Sequence, residues 1–545
     1  MAVPPTHASV TTPTARAPTK PPDLNHVVFV HLDLGIGGAE QLIVNLALAT
    51  AGGVGDNTRR GDGESGARVT IYTSHCSPTH CFDVVKPPKG RLSSSVRVRG
   101  SWMPVALFGV GTALCSAARM FYLCRCAAME CDDADVIVLD VLPTGLPALV
   151  GRWGAKAVLF YCHFPDKYLV RADRSDTEGS DVEIPAQVKF AKKFFAVFKS
   201  LYRGGMDILE ELCIRHSDLV AVNSLFTRSM ALEAFPSILS SPDGRPRDDG
   251  YLGVLYPPID LGNFIKPDFE EKKRKLEGEA HRSSQSLGSI MSLNRFERKK
   301  NVAVLIKAYA KLVKFNKTDG VIVPPLVIAG GYDPRNTENV EHLAELMQLA
   351  EELGVAPMTT FSPSISDKER ANLLRSALCV VYTPDKEHFG IVPLEAMYAG
   401  SPVVAVKSGG PKETVIDGVT GMLVEAGTVD GFTEALIRLV EDPHLALRMG
   451  QSGHEHVRDN FGLEAFRDSW WKTLRETARR GRERREGWGR GQGPVQIMGG
   501  GIFSSSVSYT VELMIALFFA WAVTALLRLV GTLGPDETIL TWIKQ

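Results

Sequence analysis

The stretch Glu387-His388-Phe389-Gly390-Ile391-Val392-Pro393-Leu394-Glu395 lies between a strand-like run, CVVYT, and a helix-like run, IVPLEAMYAG. A loop at the carboxyl end of a parallel strand is where doubly wound sheets take their ligands, and the free N–H groups of the following helix suit a diphosphate. Glu387 projects from the loop and Glu395 follows within the first turns of the helix. Both carboxylates can then face one bound ligand, on its hydroxyls rather than its phosphates. Acids at a helix start also act as caps, so the spacing alone leaves that alternative open.

Other stretches carry chemistry by type. The loop Asn294-Arg295-Phe296-Glu297-Arg298-Lys299-Lys300-Asn301 concentrates cations, though such loops are commonly solvated surface. A glycine-rich turn, Asp33-Leu34-Gly35-Ile36-Gly37-Gly38, joins HVVFVHL to AEQLIVNLALA, as any tight strand-to-helix turn prefers. Tyr161-Cys162-His163-Phe164-Pro165-Asp166 puts His163 at a strand end, where a lone histidine is often structural. Asp133-Ala134-Asp135 has the form of a metal-nucleotide DxD but immediately precedes the strand VIVLD among other acids. His75 to Cys81 holds ligand types without the spacing of a zinc site and reads as a loop lining an acceptor cleft. No metal is expected at either. Asn316-Lys317-Thr318 is a glycosylation sequon that a cytosolic domain would not use.

The elements that must position these residues alternate strand and helix. Strands are expected at 26–32, 69–73, 136–140, 157–161 and 219–223, then a linker at Leu255-Tyr256-Pro257-Pro258, where consecutive prolines stop both helix and central strand. A charged segment, 268–286, reads as a solvated loop or helix. The alternation restarts with strands at 290–293, 326–329, 360–361, 379–383 and 402–405 and helices at 302–313, 340–352, 367–376 and 391–399. The fold class is α/β: two Rossmann-like doubly wound domains facing a cleft. Their expected limits are 26–254 and 289–460, with a linker and charged insert over 255–288. Helices across 428–476 close the catalytic part, the last of them, 461–476, long enough to return to the first domain.

With 545 residues the chain exceeds one ordinary core, and 44% apolar with 23% charged residues is typical of a folded enzyme. A net charge of -1 gives no overall attraction to nucleic acid. Nine cysteines without a CxxC pair suit reduced thiols in a cytosol-facing protein. Residues 1–25 are Pro/Thr/Ala-rich, lack an apolar signal core and read as a disordered tail. A basic, Gly-rich linker, 477–506, containing Arg479–Arg485, leads to an apolar segment, 507–530, that either spans a bilayer or is an interfacial or re-entrant helix, with a buried core helix as the alternative. Met103–Met129 and Val188–Tyr202 are read equally as core helices or as elements docking on that bilayer.

The pattern E-x7-E (Glu387, Glu395), then A-x-x-x-G-x-P-V-V-A and the pair Gly409-Gly410, resembles the retaining glycosyltransferases of the GT-B fold, family 4 type. The resemblance implies that Glu387 contacts the donor sugar and Glu395 the ribose, with His388, Phe389, Gly390 and Ile391 between them also on the donor. It implies that Arg295 and Lys300 hold the nucleotide diphosphate, that Gly37 and Gly38 face the phosphates and reacting centre, and that His163 lies near the transferred sugar. Asn294 and Asn301 stand where the general family has Gly, which marks a subgroup. HFPD, NRFERKKN and EHFGIVPLEAM are similar to the eukaryotic α-mannosyltransferases that extend dolichol-linked oligosaccharides. That similarity covers roughly 26–475 and the tail, departing at the N-terminus, the 51–67 insert and Gly204-Gly205. It implies GDP-mannose as co-substrate, no cofactor or metal, and a dolichol diphosphate oligosaccharide as acceptor. It further implies an endoplasmic reticulum membrane location facing the cytosol, with other enzymes of that pathway as partners. A family 4 glycolipid transferase with another nucleotide sugar, and an inactive membrane-anchored scaffold, are the alternatives.

Overall fold

The computed structural model describes residues 24–52, 66–106, 112–150, 156–168, 200, 202–242, 244–259, 266–277, 288–319 and 322–487. The segment 507–530, most of the 51–67 insert and most of Val188–Tyr202 lie outside them. Among the described residues no helix is long and apolar enough to cross a membrane.

Buried apolar runs such as HVVFV, VIVLD and AVLFYC form the central strands, because a parallel sheet is covered on both faces. The first sheet contains β1 (His26–Val30), β2 (Arg68–Thr73), β3 (Val96–Val98), β4 (Val136–Asp140), β5 (Ala157–Cys162), β6 (Leu219–Val222) and β7 (Leu252–Val254), all parallel, in the order β3-β2-β1-β4-β5-β6-β7. The second contains β8 (Ser289–Leu293), β9 (Leu326–Gly330), β10 (Thr359–Pro363), β11 (Ala377–Tyr382), β12 (Val403–Val406) and β13 (Gly421–Val424), also parallel, in the order β10-β9-β8-β11-β12-β13. In both, strand order reverses beside the first strand: between β1 and β4, and between β8 and β11. Chain leaving those strand ends diverges to opposite faces and opens a crevice, the place a doubly wound sheet binds ligands. β3, β7 and β13 were not expected; each has only three or four residues and lies at a sheet edge, too short for a clear pattern.

The run Met103–Met129 largely becomes the helix Thr112–Glu130, whose Met120, Leu123, Cys124, Ala127 and Ala128 pack into the first domain's core. Buried Arg119 on the same helix donates to Asp33 and Ser74, tying it to the glycine-rich turn. The charged segment is not wholly solvated: within the helix Phe269–Glu277, Lys272 is sequestered and donates to the Gly400 carbonyl at 2.7 Å.

The closing helix differs from its expected 461–476. It runs Leu463–Gly487, so the basic run Arg479–Arg485 belongs to it and not to a linker beginning at 477. Glu476–Arg480 and Arg479–Glu483 pairs one turn apart continue the helix, and Arg484 reaches Asp218 of the first domain at 2.7 Å. Gly481 lies so close to Ala157 that any Cβ there would collide, which explains a glycine at that place in the helix. Higher up, Trp470 is fully buried, donates to Thr50 Oγ1 at 2.9 Å and stacks on Phe29 of β1. The helix thus clasps the first domain from a start beside the second.

Candidate active site

The loop after β11 and the loop after β8 meet at the second domain's crevice. Lys300 ends the short turn Arg298–Lys300, and its carbonyl accepts a 2.6 Å bond from Thr383 Oγ1 just beyond β11. Its ammonium donates to Glu387 Oε2 at 2.6 Å. Burial alone would push the Glu387 carboxyl up, but Lys300, His388 and the Tyr382 hydroxyl outweigh it and hold Glu387 below the usual carboxylate range. The pair keeps access to solvent, at 17% and 23% side-chain exposure. Arg295 is 71% exposed and, among the described residues, its guanidinium pairs with Glu297 at 3.8 Å, so it can reach a ligand.

Two glycine sites shape this loop. Gly390 turns into the helix Ile391–Tyr398 with φ 76°, a left-handed conformation that costs other residues. At Gly410 an added Cβ would lie 2.0 Å from the Phe389 carbonyl, so Gly409-Gly410 forms the floor on which residues 387–389 rest. Ile391 opens the helix and is exposed. Glu395, one turn further in, is 5% exposed. Arg370 donates to one of its oxygens at 2.6 Å, while the other is buried without a hydrogen-bond partner among the described residues. Burial pushes its carboxyl up to about 7, with Arg370 opposing and Asp367 assisting.

The rings of two expected donor residues, Phe389 and His388, are packed within the protein. The Phe389 ring is a core group between Tyr256 and Phe461, supporting the loop from beneath; its apolar ring finds better burial there than beside phosphates. The His388 ring stacks on Phe164 with centroids 3.6 Å apart and planes at 9°, so it bridges the domains. Burial pushes its imidazole down to about 4, against the pull of Glu387.

On the first domain, Gly37 caps the helix Gly38–Ala51; a Cβ at Gly38 would meet nothing within 4 Å, whereas one at Gly37 would meet the Glu40 carboxylate, which lies beside this helix start. His163 follows β5, its Nε2 3.0 Å from Asp140 Oδ2; the other Asp140 oxygen is 2.7 Å from His31 Nδ1. Neither Asp140 nor His31 was singled out from sequence. Both end buried apolar runs beside the β1/β4 reversal, and a charged residue closing such a run was the available signal. Further bonds join the domains near the site: Ser224 Oγ donates to the His388 carbonyl at 2.6 Å, and Glu413 accepts from the amides of Leu225 and Phe226 and from the Tyr256 hydroxyl.

Of the two metal-like motifs, the DxD lies away from the crevice. Asp135 accepts from the amides of Asn25 and His26, and Asp133 pairs with Arg68 and His26, at the strand ends opposite the crevice. The His75–Cys81 loop packs on the glycine turn, where Leu34 N–H donates to the His75 carbonyl.

Comparison with known proteins agrees with this architecture. The Glycosyl transferases group 1 family matches residues 275–456. The chain is 37% identical over 465 residues to the α-1,3/1,6-mannosyltransferase ALG2 of Rhizomucor pusillus, covering 81% of this chain and 90% of that one. It is 35% identical to the human enzyme of the same name, covering 82% and 94%. A sucrose-phosphate synthase from Thermosynechococcus elongatus shares the two-domain GT-B fold, with a TM-score of 0.58 at 19% identity over 83% of this chain and 98% of that one. Anabaena HepE, solved with UDP and glucose, has a TM-score of 0.52 at 17% identity over 83% and 99%. On the identity and coverage of these relatives, the chain belongs to the α-1,3/1,6-mannosyltransferase family of group 1 glycosyltransferases.

Proposed function

We propose that the protein transfers mannose from GDP-mannose, with retention, to a dolichol diphosphate-linked oligosaccharide in N-glycan precursor synthesis, adding α-1,3 and α-1,6 mannose to a Man1GlcNAc2 core. The names of its relatives support the linkages, and the observation that carries the reading is the Lys300–Glu387 pair opposite His163 across the crevice. A diphosphate entering there meets Lys300 and Arg295, which take up the charge that develops as the bond between mannose C1 and the β-phosphate oxygen breaks. Glu387 orients the mannose hydroxyls. Glu395 accepts from the ribose with its unpaired oxygen. The acceptor hydroxyl attacks C1 from the face the diphosphate leaves, and its proton passes to the departing phosphate oxygen. The amides at Gly37 and Gly38 stabilise that oxygen, and His163 steadies the sugar.

The experiment is mass spectrometry of a lipid-linked acceptor incubated with the full chain and a panel of nucleotide sugars. Hexose gain from GDP-mannose is expected; gain only from another donor overturns the assignment. We further propose that 507–530 anchors the enzyme to the cytosolic face of the endoplasmic reticulum, since cations on Arg479–Arg485 precede an apolar segment. Deletion from residue 500 should release the protein from membranes while transfer to a short-chain, detergent-dispersed acceptor persists. A truncated protein that unfolds, or resists carbonate extraction, overturns that role.

A further inference from the structure

β4 lies between β1 and β5, so the end of β4 has a neighbouring strand end on each side. Asp140 occupies that end with no exposed surface, His31 follows β1 and His163 follows β5. Each Asp140 oxygen engages one of them: Oδ1 with His31 Nδ1 at 2.7 Å and Oδ2 with His163 Nε2 at 3.0 Å. We propose that Asp140, held by the buried His31, is a positioning residue that fixes the orientation and tautomer of His163, so that His163 offers a bare Nδ1 to a sugar hydroxyl in the crevice.

A carboxylate accepts and does not donate, so the His163 proton in this bond belongs on Nε2. Nδ1 then carries a lone pair, the form suited to a hydroxyl, which can donate to it. The His163 side chain is 26% exposed, whereas that of His31 is 3% exposed and reaches the crevice only through Asp140. A buried carboxylate needs a cation nearby. Burial opposes charge on His31, but Asp140 and Glu40 outweigh it and raise its pKa; Glu40 lies 4.0 Å from the second ring nitrogen. The His163 backbone is also fixed, its carbonyl accepting from Asn223 Nδ2 at 2.9 Å. Tyr161 lies against the ring with centroids 5.1 Å apart, and His388 faces it from the other domain.

The inference rests on the reading of His163 as a site residue, and the two fail separately. In the full-length protein, Asp140→Asn should lower kcat roughly 10- to 100-fold, the cost typical of losing a functional histidine's outer partner, with donor KM little changed. An amide can donate to Nε2, so nitrogen NMR of labelled histidine should show the proton on Nε2 in the wild type and a shift toward Nδ1 in the variant. His163→Ala is measured in parallel, and the double variant should be no slower than His163→Ala. Wild-type turnover in His163→Ala overturns the site reading. Wild-type turnover in Asp140→Asn beside an impaired His163→Ala overturns the positioning. Should Asp140→Asn not fold, the wild-type spectrum decides, and a proton on Nδ1 refutes the proposal.

Discussion

The two sheets repeat one design, strand order reversing beside a first strand, yet they arm their crevices differently. At the first reversal the charges are spent inside the protein: His31 and Asp140 are buried against each other, and one partly exposed imidazole, His163, faces the opening. At the second, Lys300 and Glu387 stay reachable and the Arg295 side chain is mostly exposed. Topology chooses where a ligand goes; the residues closing the central strands choose its chemistry. A wall of internally neutralised charge suits sugar hydroxyls, and a wall of open cations suits a diphosphate.

The largest test of that contrast is Glu387→Ala. It strips the orienting carboxylate from the donor wall and leaves Lys300 without its partner. Transfer should fall by about 10³-fold in kcat/KM, a loss comparable to removing one electrostatic contact from a reacting centre. Steady-state kinetics on protein with an unchanged melting temperature would check it. Activity equal to wild type would remove Glu387 from the site.

A smaller effect separates Glu395 from Glu387. Burial raises the Glu395 carboxyl to about 7, against Arg370, whereas Lys300 holds the Glu387 carboxyl low. The ionised form of Glu395, the better acceptor for two ribose hydroxyls, is lost as pH falls through about 7. Donor KM should therefore rise on the acid side of neutrality, up to about 10-fold for a lost charge-assisted hydrogen bond. Glu395→Gln should flatten that limb while kcat changes little. A KM profile that keeps its slope in the variant would assign the titration elsewhere.

The same contrast explains what sequence could carry. The donor wall is local: β8 with its cationic loop and β11 with its acidic loop each place their groups within a dozen residues, so spacing and family pattern expose them together. The helix Asp367–Ser376 is legible for a related reason, because Ser366 and Glu369 form a capping box. The first domain's wall is assembled from His31, Asp140 and His163, residues joined only by strand order, which no local pattern reports. The inward turns of His388 and Phe389 were hidden likewise, since their partners Phe164 and Tyr256 come from distant segments. The length of the last helix was missed because a run of arginines reads as solvated until Asp218 appears beside it.

The smallest expected effect is none. If the donor wall's own cations carry the diphosphate, chelation with EDTA should leave the initial rate of mannose transfer unchanged. Lys300 and Arg295 bring two positive charges to the crevice, and the helix starting at Ile391 adds the partial positive charge of its free amides. The alternative carboxylates are committed: Asp135 to two backbone amides and Asp133 to Arg68 and His26, at the far ends of the strands from His163. A metal ion drawn to them would act on a surface the reacting centre does not share. Loss of turnover in EDTA, restored by Mg²⁺ or Mn²⁺, would mean that the donor wall is incomplete without an ion. The contrast between a neutral first wall and a self-sufficient cationic second wall would then fall.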